Sequence, residues 1–260
     1  MELTGKVALV TGAGSGIGKA TAILLAQQGV RVGVLSHTAH EVEQTAVEIQ
    51  QDGREALALV ADTTQENQMQ QAVQQLVDRW GRLDIVFANA GINGVWAPIE
   101  ELTLAEWSHT IMTNLTGTFL TIKYTVPHLK KQGGSIVITS SVNGTRVFSN
   151  TGATAYSTTK AGQVAMTKML AVELGPHNIR VNVVCPGSTK TELGANTQRK
   201  NLDRIRFPVQ YPKGNIPLDG GKPATAVQVA QLVLFLASDA ASHITGTEVW
   251  IDGASSLITG

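Results

Sequence analysis

The stretch TGAGSGIG, residues 11–18, begins at the last residue of the apolar run KVALVT at Lys6–Thr11. The run predicts a buried strand, and a helical pattern begins within the glycines and continues over Gly16–Gln28. A glycine turn between a strand and a helix lets the free N–H groups of the helix start approach a phosphate. The glycines depart from the usual G-x-G-x-x-G spacing, but their context predicts a dinucleotide site. A tight turn without a ligand is the alternative.

The same alternation of strand and helix continues along the chain. Further helical patterns occupy His40–Gln51 and Gln65–Trp80. Further short β-rich runs lie at Val30–Ser36, Ala56–Ala61, Asp84–Ala88, Ser135–Ser140 and Ile179–Cys185. Strand and helix repeated in this way predict an α/β fold, a doubly wound parallel sheet of about seven strands with helices on both faces. No segment rich in Pro or Ser marks a boundary, so we expect one Rossmann-like domain over residues 1–260.

One region, residues 188–223, breaks this rhythm. It lacks apolar periodicity and contains Pro208, Pro212 and Pro217. Irregular stretches of this length in a compact domain are usually functional, and this one follows the carboxyl end of a predicted strand, where open α/β sheets bind ligands. We therefore predict a substrate loop, with a disordered insertion as the alternative.

Composition excludes several classes of partner. Lys plus Arg and Asp plus Glu are both 20, so no overall positive charge favours nucleic acid or an anionic membrane. The longest apolar runs are too short to span a bilayer, and the N-terminus does not have the pattern of a signal peptide. A single cysteine, Cys185, is typical of a reducing compartment. The expected partners are small molecules and protein subunits, no metal site is predicted, and the expected location is the cytoplasm.

The end of the second predicted strand bears on the choice of dinucleotide. An acidic residue there would bind an adenosine ribose hydroxyl and repel a 2′-phosphate. The chain instead has Ser36, His37 and Thr38, with neither a carboxylate nor an arginine. This pattern favours NADP slightly over NAD, although His37 could equally be a solvated loop residue.

The segment YSTTK places Tyr156 four residues before Lys160. In a helix this spacing puts both side chains on one face, where a nearby ammonium would lower the pKa of the phenol and make it a candidate general acid/base. Chance spacing on a helix is the alternative. The preceding strand ends at Ser140 and Ser141, whose hydroxyls could bind a carbonyl oxygen or serve only as turn formers.

Together these motifs resemble the short-chain dehydrogenase/reductase family in its compact, single-domain form. The resemblance extends from Lys6 to about Gly253. Its segments are the glycine turn, Asp62, the NAG of Asn89–Gly91, Asn114, SSVNG around Ser141, YSTTK, CPGSTKT and the closing ITGTEVWIDG. The resemblance implies a nicotinamide cofactor and a catalytic group of Asn114, Ser141, Tyr156 and Lys160.

The family also implies a role for each of these residues. Tyr156 would protonate a carbonyl oxygen as hydride arrives and act as the base in the reverse direction. Lys160 would lower the pKa of that tyrosine and bind the nicotinamide ribose. Ser141, rather than Ser140, would bind the substrate oxygen, and Asn114 would hold a water molecule that links the lysine to solvent.

The cofactor contacts are implied in the same way. Asp62 would bind the adenine amino group, Asn89 would stabilise a strand end, and Thr191 would contact the nicotinamide carboxamide. The full set implied for the cofactor is Gly12, Ser15, Gly16, Ile17, Gly18, Ser36, His37, Asp62, Asn89, Gly91, Tyr156, Lys160, Pro186, Gly187, Thr189 and Thr191.

We therefore expect an NAD(P)-dependent oxidoreductase that transfers hydride between nicotinamide and a carbonyl or secondary alcohol. A dinucleotide-binding sensor or scaffold without turnover is the alternative. The helical stretches Thr113–Lys131 and Thr154–Leu174 have apolar positions on more than one face. With the family resemblance this suggests subunit contacts, so we expect a homotetramer or, failing that, a homodimer. Packing of these helices within the core of one chain is the alternative.

Substrate identity is not apparent from the sequence. The loop carries five cations, which would suit an anionic substrate or be solvated surface charge. They are Arg199, Lys200, Arg204, Arg206 and Lys213.

Overall fold

Strands and helices alternate in the computed structural model, which describes residues 3–191, 194, 197–207, 211 and 214–259. In chain order the strands are β1 (Val7–Thr11), β2 (Arg31–Ser36), β3 (Ala56–Val60), β4 (Ile85–Ala88), β5 (Val95–Trp96), β6 (Gly134–Thr139), β7 (Ile179–Pro186), β8 (Thr189–Lys190), β9 (Gln198–Arg199), β10 (Ala224–Thr225) and β11 (Glu248–Ile251). The α-helices are α1 (Gly16–Gln27), α2 (Ala39–Gln51), α3 (Glu66–Trp80), α4 (Leu104–Ile111), α5 (Gly117–Leu129), α6 (Thr154–Leu174), α7 (Ala226–Ala237) and α8 (Ser256–Thr259).

Seven of these strands form one parallel sheet in the order β3-β2-β1-β4-β6-β7-β11. The chain moves outward from β1 to β3 and then returns to the other side of β1 with β4. At such a reversal the connecting segments separate, and a crevice opens at the carboxyl ends of the strands. The predicted doubly wound fold is confirmed.

Helices cover both faces of the sheet because its strands are buried on both sides. Helices α1, α2 and α7 pack on one face, and α3, α5 and α6 pack on the other. Successive strand residues point to opposite faces. Ala8 and Val10 therefore pack in the core beneath α1, α2 and α7, whereas Leu9 packs in the core beneath α3, α5 and α6.

The helix predicted at Thr113–Lys131 differs from the observed one at its start. Residues Met112–Thr116 form a π-helical segment between α4 and α5. Such segments insert an extra residue into a helical turn and are frequent at functional sites. Within it the side chain of Asn114 is fully buried and makes contacts outside its own helix.

The predicted loop at 188–223 is irregular where the structure describes it. Its only extended pieces among the described residues are β8 and β9. Strand β8 pairs in parallel with β10, which directly follows the loop, and β9 pairs in parallel with β5. The second pair links the loop to the segment after β4. Pro208, Pro212 and Lys213, on which part of the sequence prediction rests, lie outside the described residues.

Candidate active site

An open cleft of about 1900 Å³ lies at the carboxyl ends of the central strands. Almost every residue that the resemblance assigns to the cofactor or to catalysis lines this cleft. The exceptions are Gly18 and Asn114, which are buried beneath its wall. The fold thus brings the sequence-predicted residues together in one place.

The glycine turn forms the floor of the cleft. Gly12 and Gly16 have φ values of +63° and +52°, which side-chain-bearing residues rarely adopt. A Cβ atom on Gly18 would overlap the carbonyl oxygen of Gly12 and lie 2.8 Å from Nδ2 of Asn89. The turn and the start of α1 are therefore in close backbone contact. This arrangement fits a pyrophosphate, because the first N–H groups of a helix have no partners within the helix.

Ser36 and His37 border the cleft beside this turn, as the sequence predicts for the adenosine end of a cofactor. Ser36 is buried, whereas His37 is exposed. Asp62 also lines the cleft, and its Oδ1 accepts hydrogen bonds from the backbone N–H and the hydroxyl of Thr64, both at 2.8 Å.

The cleft that Ser36, His37 and Asp62 border also contains a carboxylate that the sequence prediction missed. Glu41, in the first turn of α2, lines the cleft and packs against Gly14. A Cβ atom at Gly14 would lie 2.5 Å from Oε2 and 2.7 Å from Cβ of Glu41. Glycine at this position therefore makes room for the acidic side chain. A ribose-binding acid is usually expected at the end of the second strand, whereas Glu41 lies in the helix that follows it.

Asn89 holds three strands together at the centre of the cleft. Its Nδ2 donates to the carbonyl oxygen of Thr11 at 3.2 Å, and its Oδ1 accepts from the hydroxyl of Thr139 at 3.1 Å. Gly91 follows on the same segment, where a Cβ would lie 3.1 Å from Oδ1 of Asn114 and 3.7 Å from Nζ of Lys160. Its lack of a side chain keeps the cleft open above the lysine.

Tyr156 is positioned by three neighbours. It is 8 % exposed, and its ring lies 6.5 Å from the ring of Trp96 at an interplanar angle of 41°. Its side chain also hydrogen-bonds that of Ser141, and Lys160 Nζ lies 5.4 Å from the centroid of its ring. The neighbouring Ser140 instead donates to the backbone carbonyl of Lys160 at 2.7 Å.

The ionisation of this pair differs from the sequence prediction. Burial raises the pKa of Tyr156, and the hydrogen bond with Ser141 acts in the opposite direction. The predicted direction, a lowered pKa for this phenol, is therefore wrong. Burial instead lowers the pKa of Lys160 itself to about 8. The cause is desolvation, because both groups lie almost entirely out of contact with water.

The ammonium of Lys160 is directed at two oxygen atoms. Its Nζ donates to the carbonyl oxygen of Thr139 at 2.8 Å and to Oε1 of Gln163 at 3.0 Å. Gln163 was not predicted from the sequence, although its spacing of three residues from Lys160 on a helix would have placed the two side chains together.

Asn114 contacts the segment after β4 and helix α6. Its Oδ1 accepts from the N–H of Ile92 at 2.8 Å, while its Nδ2 donates to the carbonyl oxygen of Ile92 at 2.9 Å and to the hydroxyl of Thr159 at 3.1 Å. The side chain therefore joins the cleft wall to the helix that carries the tyrosine and the lysine.

The remaining predicted cofactor residues line the cleft on the segment that ends β7 and follows it. Pro186 accepts a hydrogen bond from the N–H of Val142 at 3.0 Å, and Gly187 donates to Ile251 at 3.0 Å. Thr191 approaches the glycine turn, because a Cβ on Gly16 would lie 3.3 Å from its methyl carbon. Thr189 also lines the cleft.

Three of the loop cations have partners within the chain. Lys200 forms an ion pair with Glu106, and Arg204 forms one with Glu101. The guanidinium of Arg199 lies 5.7 Å from the ring centroid of Trp96. Arg206 lines the cleft and has no ion pair with any residue that the structure describes. Lys213 lies outside the described residues. The charge available to an anionic substrate is thus smaller than the sequence indicates.

In the described part of the chain, no three His, Cys, Asp or Glu side chains come together in an arrangement that could hold a metal ion. None of its helices is both long enough and apolar enough to cross a membrane. Cys185 is buried, and burial raises the pKa of its thiol to about 12.

The known proteins to which this chain is similar include enzymes named as dehydrogenases and reductases. The family model described as enoyl-(acyl carrier protein) reductase matches residues 12–255. Cyclohexanol dehydrogenase of Acinetobacter sp. strain SE19 is 39 % identical over 254 residues, which cover 97 % of this chain and 96 % of that protein.

Two solved structures extend the comparison. A 3-ketoacyl-ACP reductase from Sinorhizobium meliloti 1021 is 55 % identical, with a TM-score of 0.95 and coverage of 97 % of this chain and 99 % of that one. A 3-ketoacyl-(acyl-carrier-protein) reductase from Brucella melitensis, in complex with NADH, is 32 % identical with a TM-score of 0.86, covering 98 % and 99 % of the two chains.

Proposed function

The chain belongs to the short-chain dehydrogenase/reductase family and is an NAD(P)-dependent oxidoreductase, and from that premise we propose that Tyr156 is its general acid/base. The observation that carries this proposal is the buried contact between Tyr156 and Ser141, with the ammonium of Lys160 beneath the ring. A sensor without turnover has no need of this complete group, so we do not favour that alternative.

The proposed reaction divides the work between cofactor and protein. When bound, the nicotinamide supplies or accepts the hydride. Ser141 and Tyr156 together bind the substrate oxygen, and Tyr156 donates its phenolic proton to that oxygen during reduction. Because burial raises the pKa of Tyr156, the phenol is protonated at neutral pH and ready to act as an acid. Asn114 and Asn89 keep the surrounding backbone in place.

The pH dependence of reduction is expected to report Lys160. Its pKa is lowered to about 8, so the ammonium is charged below that pH and loses its charge above it. The phenol of Tyr156, with a raised pKa, remains protonated over the same range. The value of kcat/KM for reduction is therefore expected to be level through neutral pH and to fall above about 8. Steady-state kinetics in a constant-ionic-strength buffer series measures this, and a level profile up to the unperturbed phenol range would contradict it.

We propose that the preferred cofactor is NAD. The sequence favoured NADP because no acid directly follows β2. In the structure, however, the carboxylate of Glu41 packs against Gly14 and lines the same cleft as Ser36 and His37. A carboxylate can accept a hydrogen bond from a ribose hydroxyl and repels a phosphate. The Brucella relative, whose structure contains NADH, is consistent with this proposal.

Replacing Glu41 with Gln tests the cofactor proposal. The amide keeps the shape of the side chain and removes its charge, so the ratio of kcat/KM for NADPH to that for NADH is expected to rise about tenfold, equivalent to about 1.4 kcal/mol. Dissociation constants from nicotinamide fluorescence provide a second measure. Glu43→Gln is the matched control, because Glu43 is an exposed acid of the same helix that does not line the cleft. An unchanged ratio in Glu41→Gln would refute the role of this residue.

The substrate is proposed to be a ketone or secondary alcohol with an apolar body. Trp96, which packs on Tyr156, provides a flat apolar surface beside the reacting oxygen, and Val95 and Val147 also line the cleft. Arg206 could add a contact to an anionic group. A scan of ketones, sugars and acyl thioesters with both cofactors tests this, and it should include a neutral ketone beside its carboxylate-bearing analogue. Preference for sugars would contradict the proposal.

We propose that residues 1–260 form one domain with a substrate loop at 188–223. We also propose that the protein acts in the cytoplasm as a homotetramer or else a homodimer. Exposed apolar side chains on α5 and α6, Phe119, Met169 and Val172, support contacts between subunits. Light scattering of the purified protein measures the number of subunits, and a monomer would contradict the proposal.

A further inference from the structure

Gln163 is a buried polar residue for which the proposed mechanism has no role. It lies on α6 and is 1 % exposed. Its Oε1 accepts a hydrogen bond from Nζ of Lys160 at 3.0 Å, and its Nε2 donates to the backbone oxygen of Asn114 and to the hydroxyl oxygen of Thr118, both at 2.9 Å. Both ends of the amide are therefore used, and each contacts a different part of the site.

The chemistry of these partners fixes the orientation of the amide. An ammonium only donates hydrogen bonds, so it must face the oxygen of Gln163. The hydroxyl of Thr118 donates its hydrogen to the backbone oxygen of Asn114 at 2.7 Å, so both of these oxygen atoms must accept from Nε2. A rotated amide would place donor against donor and acceptor against acceptor.

The position of Lys160 depends on this amide. Within the described residues its ammonium has two hydrogen-bond acceptors, the carbonyl oxygen of Thr139 and Oε1 of Gln163. The ionisable groups that face it are Tyr156 on the same helix and Cys185 on β7. Neither group carries a negative charge at neutral pH, because burial raises the pKa of both. Among the described residues the ammonium thus has only neutral oxygen atoms as acceptors, and one of the two belongs to Gln163.

We propose that Gln163 is a positioning residue that holds the ammonium of Lys160 beneath Tyr156 and links it, through the side-chain amide, to the backbone oxygen of Asn114. Thr139 and Gln163 thereby accept two of the three ammonium hydrogens of Lys160, and the third can donate to a group bound in the cleft.

Two substitutions at Gln163 test this inference. Gln163→Met keeps the length of the side chain and removes the acceptor, so the pKa of Lys160 is expected to fall by about one unit. Gln163→Glu puts a carboxylate against the ammonium, so that pKa is expected to rise by about one unit or more. NMR titration of protein with isotope-labelled lysine side chains measures it without cofactor or substrate. The upper limb of the kcat/KM profile should move in the same directions.

Thr167→Val is the matched control. Thr167 is fully buried on the same helix, and its hydroxyl donates only to the backbone oxygen of Gln163, at 2.9 Å. Its removal is expected to lower the thermal midpoint and leave the titration of Lys160 unchanged. If both Gln163 variants are less stable but titrate Lys160 as the unmodified protein does, Gln163 is only a packing residue and the inference is refuted. Should one variant fail to fold, the other still decides.

The inference rests on the proposed function for its catalytic meaning, but the two can fail separately. Undiminished turnover after loss of the Tyr156 hydroxyl would refute the acid/base assignment and leave the Lys160 titration as it is. An unmoved Lys160 titration would refute the role of Gln163 and leave the acid/base assignment intact.

Discussion

Replacing Tyr156 with Phe is expected to lower kcat for carbonyl reduction by about 10²- to 10⁴-fold, the usual contribution of a positioned general acid. The substitution removes one hydroxyl and keeps the ring, so the packing against Trp96 should persist. The cofactor should still bind, because the glycine turn and the wall formed by Thr191 are untouched. Single-turnover kinetics with saturating reduced cofactor measures the chemical step, and nicotinamide fluorescence measures the affinity.

Tyr124→Phe is the matched control for this substitution. Tyr124 is a partly exposed tyrosine on α5, its hydroxyl donates to Oε1 of Glu66 at 2.6 Å, and neither residue lines the cleft. Its loss should leave kcat unchanged. Equal turnover by Tyr156→Phe and the unmodified protein would show that another group supplies the proton. Loss of cofactor binding in Tyr156→Phe would show instead that the ring supports the cleft.

The sheet could be predicted closely because its signals are local. The predicted strand at Val30–Ser36 is observed at Arg31–Ser36, and the predicted helix at Gly16–Gln28 ends one residue earlier. Strands that are buried on both faces appear as continuous apolar runs, and glycine turns mark their ends. The alternation then restricts the topology to a small number of right-handed, parallel arrangements.

Without the family resemblance, which supplied Ser141 and Asn114, the site could be predicted only where spacing along the chain determines distance in space. Tyr156 and Lys160 are one helical turn apart, so their proximity follows from the sequence. Glu41 approaches Gly14 across two elements, and Lys200 reaches Glu106 through a loop, so neither contact has a local signal. The direction of the pKa shift of Tyr156 was wrongly predicted for the same reason. Burial depends on the whole fold, and here it outweighs the hydrogen bond with Ser141.

Replacing Gly18 with Ala is expected to weaken cofactor binding by about 10- to 100-fold, equivalent to about 1.4–2.8 kcal/mol. The added methyl group would overlap the carbonyl oxygen of Gly12 and crowd Nδ2 of Asn89. Relief requires the turn to move away from α1, and this movement displaces the N–H groups that would face the pyrophosphate. Overpacking at a fully buried position should also lower the free energy of unfolding by about 1–3 kcal/mol. Calorimetric titration with NADH and urea denaturation measure the two effects.

Gly175→Ala is the matched control, because it shows the effect of replacing a glycine that makes no close backbone contact of the kind between Gly18 and Gly12. Gly175 has helical φ and ψ values of −51° and −44°, and a Cβ there would meet nothing within 4 Å. Alanine at such a position restricts the unfolded chain and should stabilise the protein slightly or leave it unchanged. Cofactor affinity should not change. Equal cofactor affinity of Gly18→Ala and Gly175→Ala would contradict the prediction. It would show that the close contact between Gly18 and Gly12 is not needed to position the N–H groups for the cofactor. The phosphate-binding role of the whole segment TGAGSGIG would then have to be assigned elsewhere in the cleft.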